Sequence, residues 1–385
     1  MVTVGCAGDD TPADELGGSS TEESTGDGDG DGDGDGDGDG DGDGDGDGDG
    51  DGDGDGDGDG DGDGDGDGDG DGDAAPFVVS TEPAELAAGV DATTSISVTF
   101  SEPMDAGTVT TNTVDKRCSG AIMVSHDNFM SCVQMSAAPA TDDDTTFTIT
   151  PAGPMAAATE YAIRVLPWVT DAGGTPMVGA FTTANGFTVR YAHTVVLDGV
   201  NDFFPDEAFT SSTLGHTGYV AWDASYVYLG MNSPDLASGG PQVYFVAYLG
   251  GSPGTSEGVT YNTQQPQLPF DAKTHLRWRA DESFGGALEW NGNAWVAGEF
   301  GPIPGGGDVV ASGAFVEMRI SWADLGDPVK LDLSLGMLRE QAFNEASWAA
   351  VPSDAYDDGY DPDFGAYFSF DPLGSTWPNA YTPSF

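Results

Sequence analysis

The stretch TSISVTF at residues 94–100 alternates polar and apolar side chains without interruption. Successive side chains of a strand point to opposite faces, so Ile96, Val98 and Phe100 share one face of a predicted β-strand. Residues 146–150 repeat the alternation, and turn residues separate such runs about every 8–12 positions, which is typical of a β-sandwich. We therefore expect an all-β protein made of antiparallel β-sandwich domains.

Two cysteines, Cys118 and Cys132, flank a short segment of this first region. Neither belongs to a Cys-x-x-Cys pair, and no histidine completes a zinc ligand set. In an exported all-β domain a disulfide is therefore expected, and it would stabilise the domain by about 3 kcal/mol through loop closure.

Four motifs carry a family resemblance in this region: TEPA at 81–84, ISVTFSEPMD at 96–105, TEYAIRV at 159–165 and DAGG at 171–174. Together they resemble a bacterial Ig-like domain of the SbsA type, which we expect to cover residues 76–187. The resemblance implies a spacer or adhesive module without catalytic residues.

Aromatic residues are concentrated in the C-terminal half, which holds seven of the eight tryptophans. Residues 219–222 and 226–231 predict a hairpin, and residues 242–249, apolar on both faces, predict a central strand. Trp290 and Trp295 flank an Asn-Gly turn and predict a cross-strand aromatic pair. Further strands are expected at 315–320 and 330–338, with a helical turn at 321–325.

Three motifs in this half carry a second resemblance: VLDGVNDFF at 196–204, VAWDASYVYL at 220–229 and FVEMRISWADL at 315–325. In this order they are similar to carbohydrate-binding module family 9, a β-sandwich related to the DOMON fold. The resemblance implies a second sandwich over residues 188–385. Relatives of this fold bind sugars in some cases and haem in others, so the ligand stays open.

Flat aromatic rings stack on the C–H faces of sugars, while carboxylates and amides bind the hydroxyl groups. Trp278, Trp348 and Trp377 lie near polar or turn residues and are the candidates for a glycan platform. Trp222 and Trp322 belong to the family motifs, which favours positions in the core. Core packing is also favoured for four tyrosines whose spacing of two predicts an inner face: Tyr226, Tyr228, Tyr244 and Tyr248.

Five carboxylates surround one glycine in a predicted loop: Asp354, Asp357, Asp358, Asp361 and Asp363. Ca²⁺ takes about six to eight oxygen ligands, so calcium is the candidate cofactor, although the spacing differs from that of an EF-hand loop. An acidic, solvated loop is the alternative interpretation.

The sequence offers little support for catalysis, because its four histidines stand singly and it has neither a His-Glu-x-x-His motif nor a P-loop. We therefore expect that the protein is not an enzyme. A haem-binding protein for electron transfer is a further alternative. It would need an axial pair, for which Met231 and His275 are the candidates.

Residues 1–25 begin MVTVGC and continue with a polar, acidic run. Small residues before a lone cysteine resemble the lipobox of bacterial lipoproteins, which makes Cys6 the expected lipidation site and implies a signal peptide upstream of Met1. Residues 26–75 are built on an alternating Asp-Gly repeat with twenty-four aspartates and twenty-four glycines. The repeats offer no apolar side chain to bury, so they predict a disordered tether.

The formal net charge of −57 at pH 7 disfavours nucleic acid as a partner, because like charges repel. No apolar run reaches the length of about 18 residues that a membrane helix needs, so membrane contact is expected only through a lipid on Cys6. We expect a lipid-anchored or secreted protein of the bacterial cell envelope that binds a glycan. The alternative is a structural or adhesive surface protein that contacts other proteins.

Overall fold

The computed structural model describes residues 74–238, 240, 242–298 and 308–385. Cys6 and the Asp-Gly repeats lie outside these residues, so the expectations for lipidation and for a tether stay predictions. The described chain is all-β, as predicted, and its strands pair in antiparallel sheets. Its two α-helices are single turns, α1 (Pro234–Ala237) and α2 (Trp322–Leu325). Within the described residues no helix is long and apolar enough to span a bilayer.

The first sandwich consists of two small sheets. One has the strand order β1-β2-β4, and the other has the order β3-β5-β6 with β7 also paired to β5. The strands are β1 (Val78–Glu82), β2 (Ile96–Phe100), β3 (Ile122–Ser125), β4 (Thr146–Ile149), β5 (Glu160–Val165), β6 (Phe181–Thr182) and β7 (Phe187–Thr188).

The alternation in β2 produces this sandwich as predicted. Ile96, Val98 and Phe100 are buried in the core between the two sheets. On the opposite face, Ser97 Oγ lies 2.8 Å from Thr148 Oγ1 of β4, so hydroxyl pairs link the strands where apolar contacts are missing. The predicted disulfide between Cys118 and Cys132 is confirmed.

The second sandwich has a five-stranded sheet, β15-β16-β10-β9-β8, and a seven-stranded sheet, β14-β13-β12-β11-β17-β18, in which β19 also pairs with β17. The strands are β8 (Ala208–Thr210), β9 (Thr217–Trp222), β10 (Tyr226–Asn232), β11 (Val243–Glu257), β12 (Gln267–Arg279), β13 (Gly285–Trp290), β14 (Trp295–Ala297), β15 (Val309–Ser312), β16 (Phe315–Ser321), β17 (Leu331–Arg339), β18 (Ala346–Val351) and β19 (Phe368–Phe370).

Several predicted elements of this half are confirmed. Strands β9 and β10 form the predicted hairpin, with Val227 opposite Trp222. Strand β11 is central, flanked by β12 and β17. Trp290 and Trp295 are directly opposite each other across the β13–β14 turn, with ring centroids 5.9 Å apart.

The tyrosines with a spacing of two do not face the core between the sheets, which corrects the expectation of an inner face. On β11, Phe245 and Ala247 take the inner face, while Tyr244 and Tyr248 pack in a separate apolar cluster on the outer face. Tyr228 lies in a third cluster outside the five-stranded sheet, and Tyr226 packs against it. The opposite sheet covers the inner face of these strands and loop residues cover the outer face. The period of two is therefore observed but does not reveal which face is inner.

The two sandwiches meet with no linker between them. Val189 belongs to the first core and Tyr191 to the second, so only Arg190 separates the two cores. The Tyr191 N–H donates to the carbonyl of Gly374 at 2.9 Å. Gly89 has a φ of +70° and lies against the 373–375 loop. An added Cβ would clash with the carbonyl oxygen of Leu373, so the close approach requires glycine.

Candidate functional site

Two of the three tryptophans predicted to form a glycan platform lie in the core. Trp278 is 5% exposed and Trp348 is 9% exposed, and both pack in the cluster between the sheets. Trp377 is half-buried against Tyr191, with ring centroids 5.2 Å apart. A sugar needs an exposed ring face, and Trp278 and Trp348 do not provide one.

The two motif tryptophans expected in the core differ from each other. Trp222 is fully buried there, as predicted. Trp322 is only half-buried, and its indole N–H donates to the carbonyl of Asp223 at 2.8 Å. A family motif therefore does not by itself fix how deeply a side chain is buried.

The acidic loop predicted to bind calcium uses its carboxylates to hold neighbouring segments. Asp358 accepts hydrogen bonds from two hydroxyls of the β8–β9 connection, at 2.7 and 2.6 Å. Asp361 and Asp363 accept from two main-chain N–H groups at the start of β12, at 2.7 and 3.0 Å. Asp354 and Asp357 are exposed. Within the described residues, no group of three or more His, Cys, Asp or Glu side chains that could hold a metal ion is found, and calcium binding by this loop stays a prediction.

The haem alternative fails on placement. Met231 is fully buried in the core between the sheets, whereas His275 packs against Tyr248 on the outer face of the seven-stranded sheet, with ring centroids 4.1 Å apart. The two side chains therefore lie on opposite sides of that sheet and cannot serve as axial ligands of one haem.

One sequence pattern of hydrolases occurs in the chain without its structural context. GGSPG at residues 250–254 has the Gly-x-Ser-x-Gly spacing of a nucleophile elbow. Such an elbow needs a sharp turn from a strand into a helix, whereas Ser252 lies within β11. The pattern therefore gives no support to a hydrolase.

Among the described residues, three loops at one end of the second sandwich enclose an open cleft of about 590 Å³, here called the loop cleft. It lies between the turn that follows β11, the β17–β18 loop and the segment after β18. The lining residues are Asn262, Thr263, Ala342, Phe343, Asn344, Glu345 and Tyr360.

Hydrogen bonds around one buried carboxylate hold the loop cleft in shape. Glu345, which is buried, accepts the Thr263 N–H at 3.1 Å and also the Thr263 hydroxyl. The Thr263 hydroxyl lies 3.0 Å from that of Tyr360, so the carboxylate ties all three loops together. The Asn262 N–H donates to Glu340 at 3.2 Å and fixes the same turn a second time.

Two aromatic rings and two side-chain amides of the loop cleft face solvent. Phe343 is fully exposed and Tyr360 is 59% exposed. The side-chain amides of Asn262 and Asn344 make no hydrogen bond with any described residue. Two exposed rings beside two free amides are the combination that can stack on a sugar ring and bind its hydroxyls.

A buried polar chain under the loop cleft positions the turn that carries Asn262 and Thr263. His275 Nδ1 lies 3.1 Å from the carbonyl of Ala247, which only accepts, so Nδ1 carries the proton and Nε2 accepts from the Tyr261 hydroxyl. Burial, aided by the charge of Arg277, lowers the pKa of His275 from 6.5 to about 3, so the ring is neutral.

The chain of hydrogen bonds continues to the turn itself. The Tyr248 hydroxyl accepts the Val259 N–H at 3.0 Å and lies 3.4 Å from the Tyr261 hydroxyl. Burial raises the pKa of Tyr248 to about 12, so this hydroxyl stays protonated. The sequence marked His275 only as a haem candidate, because nothing in the spacing of single His and Tyr residues reveals a buried network.

A second cleft of about 320 Å³ lies where the sandwiches meet, and two of its charged side chains are already paired. It is lined in part by Arg190, Asp223 and Trp322. Arg190 forms an ion pair with Asp91 at 2.6 Å. Burial alone would raise the pKa of Asp223, but hydrogen bonds from two N–H groups and two hydroxyls lower it. We therefore interpret this cleft as part of the contact between the two sandwiches. The loop cleft is the better candidate for ligand binding.

Comparisons with known proteins agree with one of the two resemblances. Residues 72–189 match the family described as bacterial Ig-like domain, so the first sandwich is such a domain. No curated protein matches the chain. The resemblance of the second sandwich to carbohydrate-binding module family 9 stays a prediction.

Among solved structures, the chain is similar to the N-terminal part of the bacterial S-layer protein SbsC, with 14% identity and a TM-score of 0.23 over 58% of this chain and 43% of that chain. It is also similar to SbsC domains 1–6, with 13% identity and a TM-score of 0.23 over 68% of this chain and 39% of that chain. The chain thus spans less than half the length of these structures, and similarity at this level carries no inference about function.

Proposed function

We propose that this chain is a non-catalytic bacterial surface protein whose second sandwich binds carbohydrate in the loop cleft. The observation that carries the proposal is the pairing of two exposed rings, Phe343 and Tyr360, with the free amides of Asn262 and Asn344. The cleft volume of about 590 Å³ also falls within the range of about 300–1,000 Å³ that is usual for small-molecule sites.

The chemistry of the cleft favours a neutral sugar. No Lys or Arg occurs among the described residues that line it, and the buried Glu345 carboxylate adds negative charge. Uronic or sialic acids would be repelled by this carboxylate, whereas the hydroxyls of a neutral sugar can donate to it. The amides can serve as both donors and acceptors.

The surface location rests on the bacterial Ig-like domain, a module found in proteins that act outside the cell. Lipid anchoring at Cys6 and projection by residues 26–75 belong to the same proposal. In this arrangement the first sandwich is a spacer that presents the loop cleft to the surroundings of the cell.

Titration of the folded full chain against a panel of neutral polysaccharides tests the proposal. We expect saturable binding that a free sugar competes away. Phe343→Ala and Tyr360→Ala should each weaken binding about tenfold, equivalent to ~1.4 kcal/mol, because each removes one stacking face.

Phe77→Ala is the matched control, since Phe77 is an equally apolar, exposed ring on the first sandwich. Binding that persists unchanged in both cleft variants would contradict the assignment of the site. Flat titrations across the panel would overturn carbohydrate binding and favour an adhesive surface protein that contacts other proteins.

A further inference from the structure

A buried glutamate on the opposite sheet has one oxygen paired and one oxygen free. Glu317 of β16 is fully buried beneath residues 196–202, here called the 196–202 loop. One of its carboxylate oxygens accepts the N–H groups of Asp198 and Gly199, both at 2.7 Å. The other oxygen, Oε2, is buried and has no hydrogen-bond partner among the described residues.

A second carboxylate in the same loop shows the same imbalance. Asp202 Oδ2 accepts the Val196 N–H at 3.0 Å, while its Oδ1 is buried without a partner among the described residues. Glu317 and Asp202 both accept N–H groups of the 196–202 loop, which places the two carboxylates against the same short segment. Burial raises the pKa of Glu317, and the negative charges of Asp202 and Asp198 act on it in the same direction.

Unpaired buried carboxylate oxygens are costly, and no ion pair with Glu317 or Asp202 occurs among the described residues. The basic residue on the same strand, Arg319, is held by Asp308 at 3.0 Å and by the Tyr226 ring at 4.6 Å. Within the described residues, the main-chain carbonyls of the 196–202 loop accept no hydrogen bond either. These carbonyl oxygens and the two buried carboxylate oxygens therefore have no protein donor among the described residues.

We propose that the 196–202 loop binds a Ca²⁺ ion through Glu317 Oε2 and Asp202 Oδ1, with main-chain carbonyls of the loop and water completing the shell. Two carboxylates balance the charge of a divalent cation, and ligands that are all oxygen suit Ca²⁺ rather than Zn²⁺. Ca²⁺ also tolerates irregular geometry better than Mg²⁺, which suits an irregular loop.

The site differs from the acidic loop that the sequence indicated. Residues 354–363 carry five carboxylates, yet they are exposed or already paired with main-chain and hydroxyl donors. The 196–202 loop has fewer carboxylates, but two of their oxygens are buried and lack donors. Burial without a partner, rather than the number of carboxylates, is what points to a cation.

Terbium luminescence provides the test, because Tb³⁺ replaces Ca²⁺ at oxygen sites and emits when an aromatic side chain nearby is excited. The apolar cluster under the loop includes Tyr219 and Tyr228, which can sensitise the ion. Residues 1–75 contain no Phe, Tyr or Trp, so ions held by the Asp-Gly repeats in the full chain stay silent.

We expect saturable emission that Ca²⁺ displaces. Asp202→Asn and Glu317→Gln should each weaken Ca²⁺ affinity by about tenfold or more, because each removes a charged ligand. Asp357→Asn, which neutralises an exposed carboxylate beside tyrosines in the other acidic loop, should leave the affinity unchanged.

Circular dichroism establishes that each variant is folded, and Asp202→Asn decides the question if Glu317→Gln does not fold. An affinity that is unchanged in Asp202→Asn, or that falls only in Asp357→Asn, would overturn the proposal. The absence of saturable emission from the folded wild-type chain would overturn it as well and would instead indicate a proton shared between the two carboxyls.

Discussion

A neutral histidine buried under the loop cleft illustrates how one residue can control a distant surface. His275 receives the Tyr261 hydroxyl and donates to the carbonyl of Ala247, so it links the turn before Asn262 to the central strand β11. Protonation would place a donor where Nε2 must accept and would break this link. The turn, and the cleft it lines, therefore depend on the ring staying neutral.

This residue predicts a specific loss of stability in acid. The pKa of His275 is about 3 in the folded protein and 6.5 in its ordinary state, so the unfolded chain takes up the proton first. The contribution of the neutral His275 ring to the free energy of unfolding is complete above pH 6.5 and is lost progressively as the pH falls towards 3. At pH 5 the second sandwich should be about 2 kcal/mol less stable than at neutral pH from this group alone.

Denaturant unfolding followed by tryptophan fluorescence at pH 7 and pH 5 measures this effect, since seven of the eight tryptophans lie in the second sandwich. His275→Gln should reduce the difference between the two pH values, because glutamine does not titrate. His126→Gln changes an exposed histidine of the first sandwich and should leave the difference in stability between pH 7 and pH 5 unchanged. An equal difference in His275→Gln and the wild type would contradict the assignment.

Single residues were also the hardest feature to predict from the sequence. Glu317 lies in the motif FVEMRISWADL at 315–325, but the motif does not reveal whether its carboxylate is buried or faces solvent. Its burial depends on residues 196–202, which are more than a hundred positions away in the chain. Likewise, Phe343 and Tyr360 carry no motif, and only the folded loops bring them together.

At the level of elements, removal of the disulfide is predicted to lower the stability of the first sandwich. Cys118 and Cys132 are 14 residues apart in sequence. Strand β3 lies between them, so the disulfide joins the segment before β3 to the segment after it. In the chain-entropy model, a loop of this length stabilises the folded state by about 3 kcal/mol. The double variant Cys118→Ser, Cys132→Ser should lose this amount in the first sandwich.

Differential scanning calorimetry checks this prediction through the melting temperature of the first sandwich. A reductant should lower that temperature in the wild type to the value of the double variant and should leave the variant itself unchanged. If the melting temperature of the double variant equals that of the wild type, the disulfide does not contribute to stability. The loop would then be ordered by its own contacts, such as the hydrogen bonds from Ser131 to Asp127.

Elements were predictable from the sequence where local chemistry determines them. The hairpin of β9 and β10, the central position of β11 and the Trp290–Trp295 pair all follow from alternation and turn residues over a few positions. The choice of face did not follow, as Tyr244 and Tyr248 show. When the opposite sheet buries one face of a sheet and loops bury the other, alternation alone cannot distinguish inside from outside.

At the level of the whole molecule, Gly89 tests how firmly the two sandwiches are joined. Gly89 adopts a φ of +70°, and an added Cβ would meet the Leu373 carbonyl oxygen at 2.4 Å. Gly89→Ala should therefore displace the 373–375 loop and release the bond between the Tyr191 N–H and Gly374. Faster hydrogen exchange at the Tyr191 amide is the expected result.

Gly174→Ala is the matched control. Gly174 has a similar left-handed φ of +92°, but a Cβ there would meet nothing within 4 Å. Both variants carry the same backbone strain of about 1 kcal/mol, so a difference between them reports the contact with the loop. Equal exchange at Tyr191 in the two variants would show that the junction does not depend on this close approach.

The single residue between the two cores also bears on how such proteins can be recombined. Domains joined by a flexible linker can usually be separated within that linker without loss of a core residue. Here no such linker exists, because Val189 and Tyr191 pack in different cores on either side of Arg190. A break at this point would remove a packed side chain from one partner or the other and would leave the Gly374 carbonyl without its donor. Transplanting the C-terminal sandwich onto another scaffold should therefore require its neighbour to be carried along as a single cassette.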